Sequence, residues 1–269
     1  MHRSVERGLS RRSGSERYYY LSIDEKSIHR GHDYVSILSD ESTGVVLEVV
    51  GGRTKESVKE LCTKALTEAQ RDDVNTICTD MWDAYIYGAE TYFPKAKHCH
   101  DNFHLVGYLN KAVDKVRRRE VKHFDELKKT KYLWLKDKLN FTERQRLQFE
   151  SICQSNYAVS GAWQIKENFR DIQFRQNRAE AISMYAYWRM DAKHAQIPEI
   201  NDVVEMFDRH QKGIINAIET GANNARAERI NGSVQEIKTR GRGYAKTENF
   251  RIAILFWHGD LDLFSHEIQ

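Results

Sequence analysis

The sequence predicts an α/β protein, a mixed sheet flanked by helices with a large all-helical insertion ahead of its last helices. Two observations predict it. Short apolar runs bounded by turn residues fill the chain as far as residue 100, and from about 103 to 218 the apolar residues recur at helical spacing with few turn residues between them.

The elements follow in order. Residues 18–23, 33–38 and 44–50 read as strands, with Gly31 and the Asp-Glu-Ser-Thr-Gly stretch at 40–44 as turns. A helix is predicted over about 55–70, because Val58, Leu61, Ala65 and Leu66 share one face. A strand at 74–79, a helix at 83–92 stopped by Pro94, and a short strand at 96–100 come next. Three antiparallel strands followed by helix, strand, helix, strand is the order of a ribonuclease H-like domain.

The helical segment opens with Leu105, Leu109, Val113 and Val116, and Pro198 alone interrupts it. A structureless connection of that length does not fit inside a compact domain. The expected organisation is therefore a basic lead at 1–17, a sheet domain of 18–104 and 219–269, and a helical insertion at 105–218. Beyond the insertion, Ala227, Ile230, Val234 and Ile237 recur at helical spacing until Gly241 and Gly243 break the helix. A last helix over about 247–257 is expected to carry Phe250, Ile254 and Trp257 toward the core.

Composition narrows the class. The charged fraction is 30% but the net charge only +3, so bulk charge does not announce a nucleic-acid partner and local clustering has to. Basic residues gather at 3–17, 111–119, 128–138 and 238–242, where they either neutralise phosphates or form solvated helix faces. Arg117, Arg118 and Arg119 belong to the second cluster. Lys238, Arg240 and Arg242, set among glycines that allow close backbone approach, are the stronger candidates for phosphate contact. Cys62, Cys78, Cys99 and Cys153 contain no Cys-x-x-Cys pair, which fits a reduced cytoplasmic chain better than a disulfide framework. No apolar stretch approaches membrane-spanning length. The five tryptophans sit mostly among periodic apolar residues, so core packing is the expectation for them over base stacking.

Three acidic residues stand out. Asp24 closes the apolar run of the first strand and Asp80 closes that of the fourth, so each carboxylate leaves the core on a rigid backbone. Two such strands side by side place hard oxygen ligands close together, which suits a divalent cation. Glu228 lies on a polar stripe with Asn224, Asn231 and Gln235, away from its own helix's apolar stripe. Glu25 should point to the opposite face from Asp24, and Asp83 reads as the first-turn acid of the next helix. The cluster His98, Cys99, His100, Asp101 and His104 suggests zinc, but no distant pair of further ligands is evident.

Four segments in order carry a family resemblance: Ser-Ile-Asp-Glu-Lys-Ser-Ile-His-Arg-Gly-His-Asp-Tyr-Val at 22–35, Thr-Asp-Met-Trp-Asp-Ala-Tyr at 79–85, Lys-His-Cys-His-Asp-Asn-Phe-His-Leu-Val at 97–106, and Asn-Asn-Ala-Arg-Ala-Glu-Arg-Ile-Asn-Gly at 223–232. With them the chain resembles the ISL3 group of insertion-sequence transposases, in the DDE superfamily. The resemblance implies a ribonuclease H-like catalytic core in which Asp24, Asp80 and Glu228 form the acidic triad. It further implies Mg²⁺ or Mn²⁺, as two ions, with Asp24 bridging both, Asp80 holding one and Glu228 the other. Asp101, His104, Asn224 and Asn231 are then expected to line the site or orient the acids through hydrogen bonds. The implied partners are DNA, as terminal repeats and target, and further copies of the chain; the implied location is the bacterial cytoplasm. Relatives carry an amino-terminal region that reads element ends, whereas this chain starts almost at the first strand, so a truncated DNA-binding or inhibitory product is a second expectation. A ribonuclease H-like host nuclease is a third.

Overall fold

The computed structural model describes residues 1–28, 33–153, 155, 157–172, 177–222 and 225–264. The chain divides into two compact units, one of Met1–Asp101 with Ala222–Gln269 and one of Asn102–Gly221.

The first unit is organised around β1 (Tyr20–Ser27), β2 (Tyr34–Asp40), β3 (Val45–Gly51), β4 (Thr76–Thr79) and β5 (Lys97–His100). They form one sheet in the order β3-β2-β1-β4-β5. β1 pairs antiparallel with β2 and β2 with β3, while β4 joins β1 and β5 joins β4 in parallel. This is the ribonuclease H-like mixed sheet that the order of elements predicts. Antiparallel neighbours need only turns; parallel ones need helical crossovers. The Asp40 carboxylate closes the turn after β2 by accepting from the Ser42 and Thr43 amides.

Helix α1 (His2–Ser10) precedes the sheet, α2 (Lys55–Ala65) and α3 (Glu68–Asp72) link β3 to β4, and α4 (Asp83–Tyr92) links β4 to β5. The single helix expected over 55–70 is two. Leu66 turns extended and Thr67 starts α3 with a reciprocal capping box to Gln70, so the cap outcompetes continued helix.

The second unit holds α5 (Asn102–Glu120), α6 (Lys131–Leu135), α7 (Glu143–Cys153), α8 (Ala158–Asp171), α9 (Arg178–His194), α10 (Pro198–Arg209) and α11 (Gln211–Thr220). An aromatic core joins them. The rings of Trp134 and Phe149 lie 5.2 Å apart, those of Phe149 and Trp163 4.6 Å, and those of Trp188 and Phe207 5.8 Å. Buried Lys166 donates to the Trp134 carbonyl at 2.8 Å and pairs with Glu167 at 3.0 Å. Burial lowers its pKa, against the pull of Glu167.

The chain then returns to the first unit as α12 (Ala225–Arg240) and α13 (Thr247–His258). Strand alternation sends Leu21, Ile23 and Leu38 to a core with Val58, Leu61 and Tyr85 of α2 and α4. It sends Val35, Ile37, Val46 and Val49 to a second core with Ile230 and Val234 of α12, Phe250 and Ile254 of α13, and Val5 of α1. Both sheet faces are thus covered, as its parallel half requires.

One expectation fails here, and the basic lead proves to be packed: Val5 is fully buried, and Arg7, Arg11 and Arg12 donate to carbonyls of Leu263, Phe264, Val46, Leu47 and Gly259. Its arginines serve main-chain acceptors of the same unit, and burial lowers the Arg12 pKa. Trp257 does not reach the core with Phe250 and Ile254 but is 64% exposed. Its ring remains outside the stripe that packs, where the neighbouring Phe256 is partly buried instead.

Candidate active site

The parallel pairing of β1 with β4 ends at Ile23 opposite Thr79. Asp24 and Asp80 are the next residue on each strand, so their carboxylates spring from neighbouring backbones about 4.8 Å apart. Both are half-buried. Asp24 lies inside β1 rather than at its end, because β2 continues to pair through Ser27. What ends at Asp24 is the β4 side of the ladder.

Each acid is held by hydrogen bonds. Asp24 Oδ1 accepts from the Glu25 amide at 2.7 Å, and its Oδ2 accepts from the Asn231 side-chain amide. Asp80 Oδ1 accepts from the Trp82 amide at 2.9 Å. Asn231 belongs to α12, so the helix that carries Glu228 is fastened directly to the first acid. Glu228 is exposed in the first turn of α12, three residues before Asn231 and therefore on the same side of the helix. Farther along, Lys238 Nζ donates to the Ser27 carbonyl at 3.0 Å. Lys238, expected to meet phosphate, is thus anchored to β1 through one of its three donors. Lys26 also borders Asp24, and burial lowers its pKa while the Asp24 charge opposes that shift.

Glu41 is the residue that sequence reasoning missed. It follows β2, is only 6% exposed, and accepts from Ser22 Oγ at 2.7 Å. It also accepts from the amides of Arg226 and Ala227, at 3.3 and 3.1 Å. These are first-turn N–H groups that lack partners within their own helix. A buried carboxylate from the sheet thus caps α12 across 186 residues of sequence. Nothing local signals it, since Asp-Glu-Ser-Thr-Gly reads as a solvated turn.

Burial raises the Glu41 pKa, and its hydrogen bonds to Ser22, Arg226 and Ala227 oppose the rise. A carboxyl raised in the folded state binds its proton more tightly there than in the unfolded chain. Stability from this group is therefore greatest at acid pH and falls as pH rises through its folded pKa. Glu41→Gln removes that titration. Urea unfolding at a series of pH values should show a flatter acid-side profile for the variant, and an unchanged profile would reject the assignment.

The other expected site residues separate. Glu25 faces away from Asp24 and pairs with Arg53 at 3.0 Å. Asp101 is buried, its amide donating to the Thr79 carbonyl at 2.8 Å beside the acids. His104 belongs to α5 in the second unit, and Asn224 lies outside the described residues. Arg117 is 12% exposed and committed to Asp114 at 2.8 Å; Arg118 shares that carboxylate and Arg119 pairs with Glu199. Arg240 is exposed with a 3.5 Å contact to Glu236, and Arg242 is exposed in a left-handed turn with φ of 52°. His98 bonds Thr79 Oγ1 at 2.8 Å and meets His100 edge-to-face, a structural role for two members of the histidine cluster.

Carboxylate oxygens suit Mg²⁺ or Mn²⁺, and Asp24, Asp80 and Glu228 are all solvent-accessible acids of the first unit. Among the described residues, the group of three whose ligand atoms lie within 4.8 Å of one another is His2, Glu6 and Glu248. That exposed group is part of an ion-pair network with Arg251. The acids of the candidate site are not gathered that tightly, although the donor chemistry fits.

Residues 21–254 match the family DDE_Tnp_ISL3, described as Transposase. The chain belongs to this family. Over 243 residues it is 24% identical to the transposase for insertion sequence element IS1001 of Bordetella parapertussis, covering 87% of this chain and 60% of that protein. It is 23% identical to the transposase for insertion sequence element IS1557 of Mycobacterium tuberculosis, covering 80% of this chain and 54% of that protein. The chain therefore spans little more than half the length of these relatives. Among the described residues, no helix is long and apolar enough to cross a membrane.

Proposed function

We propose that the chain is the catalytic portion of an insertion-sequence transposase, cutting DNA at element ends and transferring the freed 3′ hydroxyl to target DNA. The observation that carries this reading is that Asp24 and Asp80 directly follow the last residues paired between the adjoining parallel strands β1 and β4, with α12 fastened to Asp24 through Asn231. Asp24, Asp80 and Glu228 would hold two Mg²⁺ or Mn²⁺ ions. Such ions, when bound, activate the attacking oxygen and stabilise the leaving one.

The chain's own residues orient that apparatus. Asn231 and the Glu25 amide fix the Asp24 carboxylate, and the Trp82 amide fixes that of Asp80. Glu41 sets the start of α12, and with it the level at which Glu228 meets the sheet. Lys26 and Lys238 add positive charge next to Asp24, which eases the approach of a phosphodiester to a cluster of acids. Arg240 and Arg242, exposed at the far end of α12, are the proposed phosphate contacts; Arg118 and Arg119 are secondary ones. Joining two element ends calls for at least two copies of the chain.

The test is Mg²⁺- or Mn²⁺-dependent cleavage of labelled DNA carrying the flanking terminal repeats, with Glu228→Gln as the comparison. Cutting by the parent chain alone supports the reading. Equal cutting by both overturns the role of Glu228, and binding without cutting by either favours a DNA-binding or inhibitory product.

A further inference from the structure

Exposed side chains are ordinarily mobile, yet Trp82 is 41% exposed with its ring held by two contacts and its backbone tied to Asp80. Its indole Nε1 donates to the Arg53 carbonyl at 2.9 Å, and its own amide donates to Asp80 at 2.9 Å. The Arg53 guanidinium covers one face of the ring at 4.3 Å. Arg53 is held in turn, lying 4.1 Å over the Tyr34 ring and donating from Nη1 to both Glu25 oxygens at 3.2 and 3.0 Å. Tyr34, Arg53 and Trp82 therefore form a stack whose last member presents an open aromatic face. Among the described residues, no other ring packs on Trp82.

Stability alone does not account for this arrangement. A tryptophan held this firmly still leaves 41% of its surface in water, and Arg53 also has Glu25 and Tyr34 as partners. The rotamer entropy of Trp82 is already lost before any ligand arrives, which favours binding of a flat partner. Its position two residues from Asp80 sets what partner is near.

We propose that Trp82 is the stacking platform for an unpaired nucleobase next to the scissile phosphate. This inference rests on the cleavage reading above, because it takes the DNA strand to be seated at Asp80. A base within duplex already has both faces stacked, so the partner is a base displaced from the helix at the DNA end. Arg53 behind the ring adds positive charge toward the adjoining phosphate while the ring itself tolerates any base.

The experiment uses a series of DNA ends with 2-aminopurine at successive positions around the cleavage point, bound to the full chain in Ca²⁺. Quenching at one position by the parent chain is expected, retained in Trp82→Phe and lost in Trp82→Ala. In Mg²⁺, Trp82→Ala should slow cleavage on the order of tenfold. On DNA made abasic at the quenched position, parent and Trp82→Ala should cut equally slowly, because the two deletions remove one contact. No quenched position, equal quenching by Trp82→Ala, or additive losses on abasic DNA would overturn the proposal and leave Trp82 as a prop for Asp80. Quenching that follows Trp82 in a chain that never cuts would keep the base platform and remove the cleavage reading. Cutting without quenching would do the reverse.

Discussion

Asp24→Asn should abolish metal-dependent cutting, by roughly 10³-fold or more, while DNA affinity in Ca²⁺ stays within a few-fold of the parent. The size follows from the charge chemistry: a lost anionic ligand removes several kcal/mol of transition-state stabilisation, and about 1.4 kcal/mol is tenfold in rate. The fold should tolerate the change. Asn keeps the shape of Asp24, and its Oδ1 still accepts from the Glu25 amide, but it keeps the Asn231 contact only if the Asn231 amide flips to accept from its Nδ2. One lost hydrogen bond costs about 1 kcal/mol. Cleavage, filter binding and thermal melting on the same preparation separate the outcomes. Retained cutting would sink the assignment of Asp24, and joint loss of cutting, binding and fold would mean that the Asn231 link is structural first.

What the sequence disclosed about this site was its strands and acids, because both leave one-dimensional signatures. An apolar run that ends in an acid marks Asp24 and Asp80, and a polar stripe on an otherwise apolar helix marks Glu228 and Asn231. The first strand was read as 18–23, since its apolar run ends there. Pairing with β2 carries it on to Ser27, and that partner is invisible to local pattern. Glu41 was illegible for the same reason, as its acceptor role depends on α12 folding back over β1. The basic cluster at 3–17 was left open between phosphate contact and a solvated helix face, because charge alone does not reveal a guanidinium donating to carbonyls as Arg7, Arg11 and Arg12 do. Trp82 was grouped with tryptophans that sit mostly among periodic apolar residues and so expected in the core, although its neighbours Asp80 and Asp83 placed it where a strand meets a helix and a ring can remain at the surface.

Arg251→Ala should be the most destabilising single change in the first unit, costing about 3–5 kcal/mol. Glu48 on β3 is 4% exposed, and both its oxygens are bound by Arg251, Nε to Oε1 at 2.8 Å and Nη2 to Oε2 at 2.9 Å. Nη1 reaches Glu6 of α1 and Glu248 of α13, each at 3.0 Å. One guanidinium thus joins the sheet to both helices beside α12, and its pKa rises as Glu48 and Glu6 outweigh burial. Removing it strands the Glu48 charge in an apolar layer with Val46 and Val49. The cost lies in that orphaned carboxylate more than in the lost attraction, so Glu48→Leu combined with Arg251→Met should recover much of the loss. Urea unfolding of the single and double variants checks this, and a double variant no more stable than Arg251→Ala would refute it. The pair does not touch Asp24 or Asp80, so cleavage per folded molecule should be unchanged in either variant. That contrast with Asp24→Asn distinguishes a residue that holds the sheet and its helices together from one that acts on DNA.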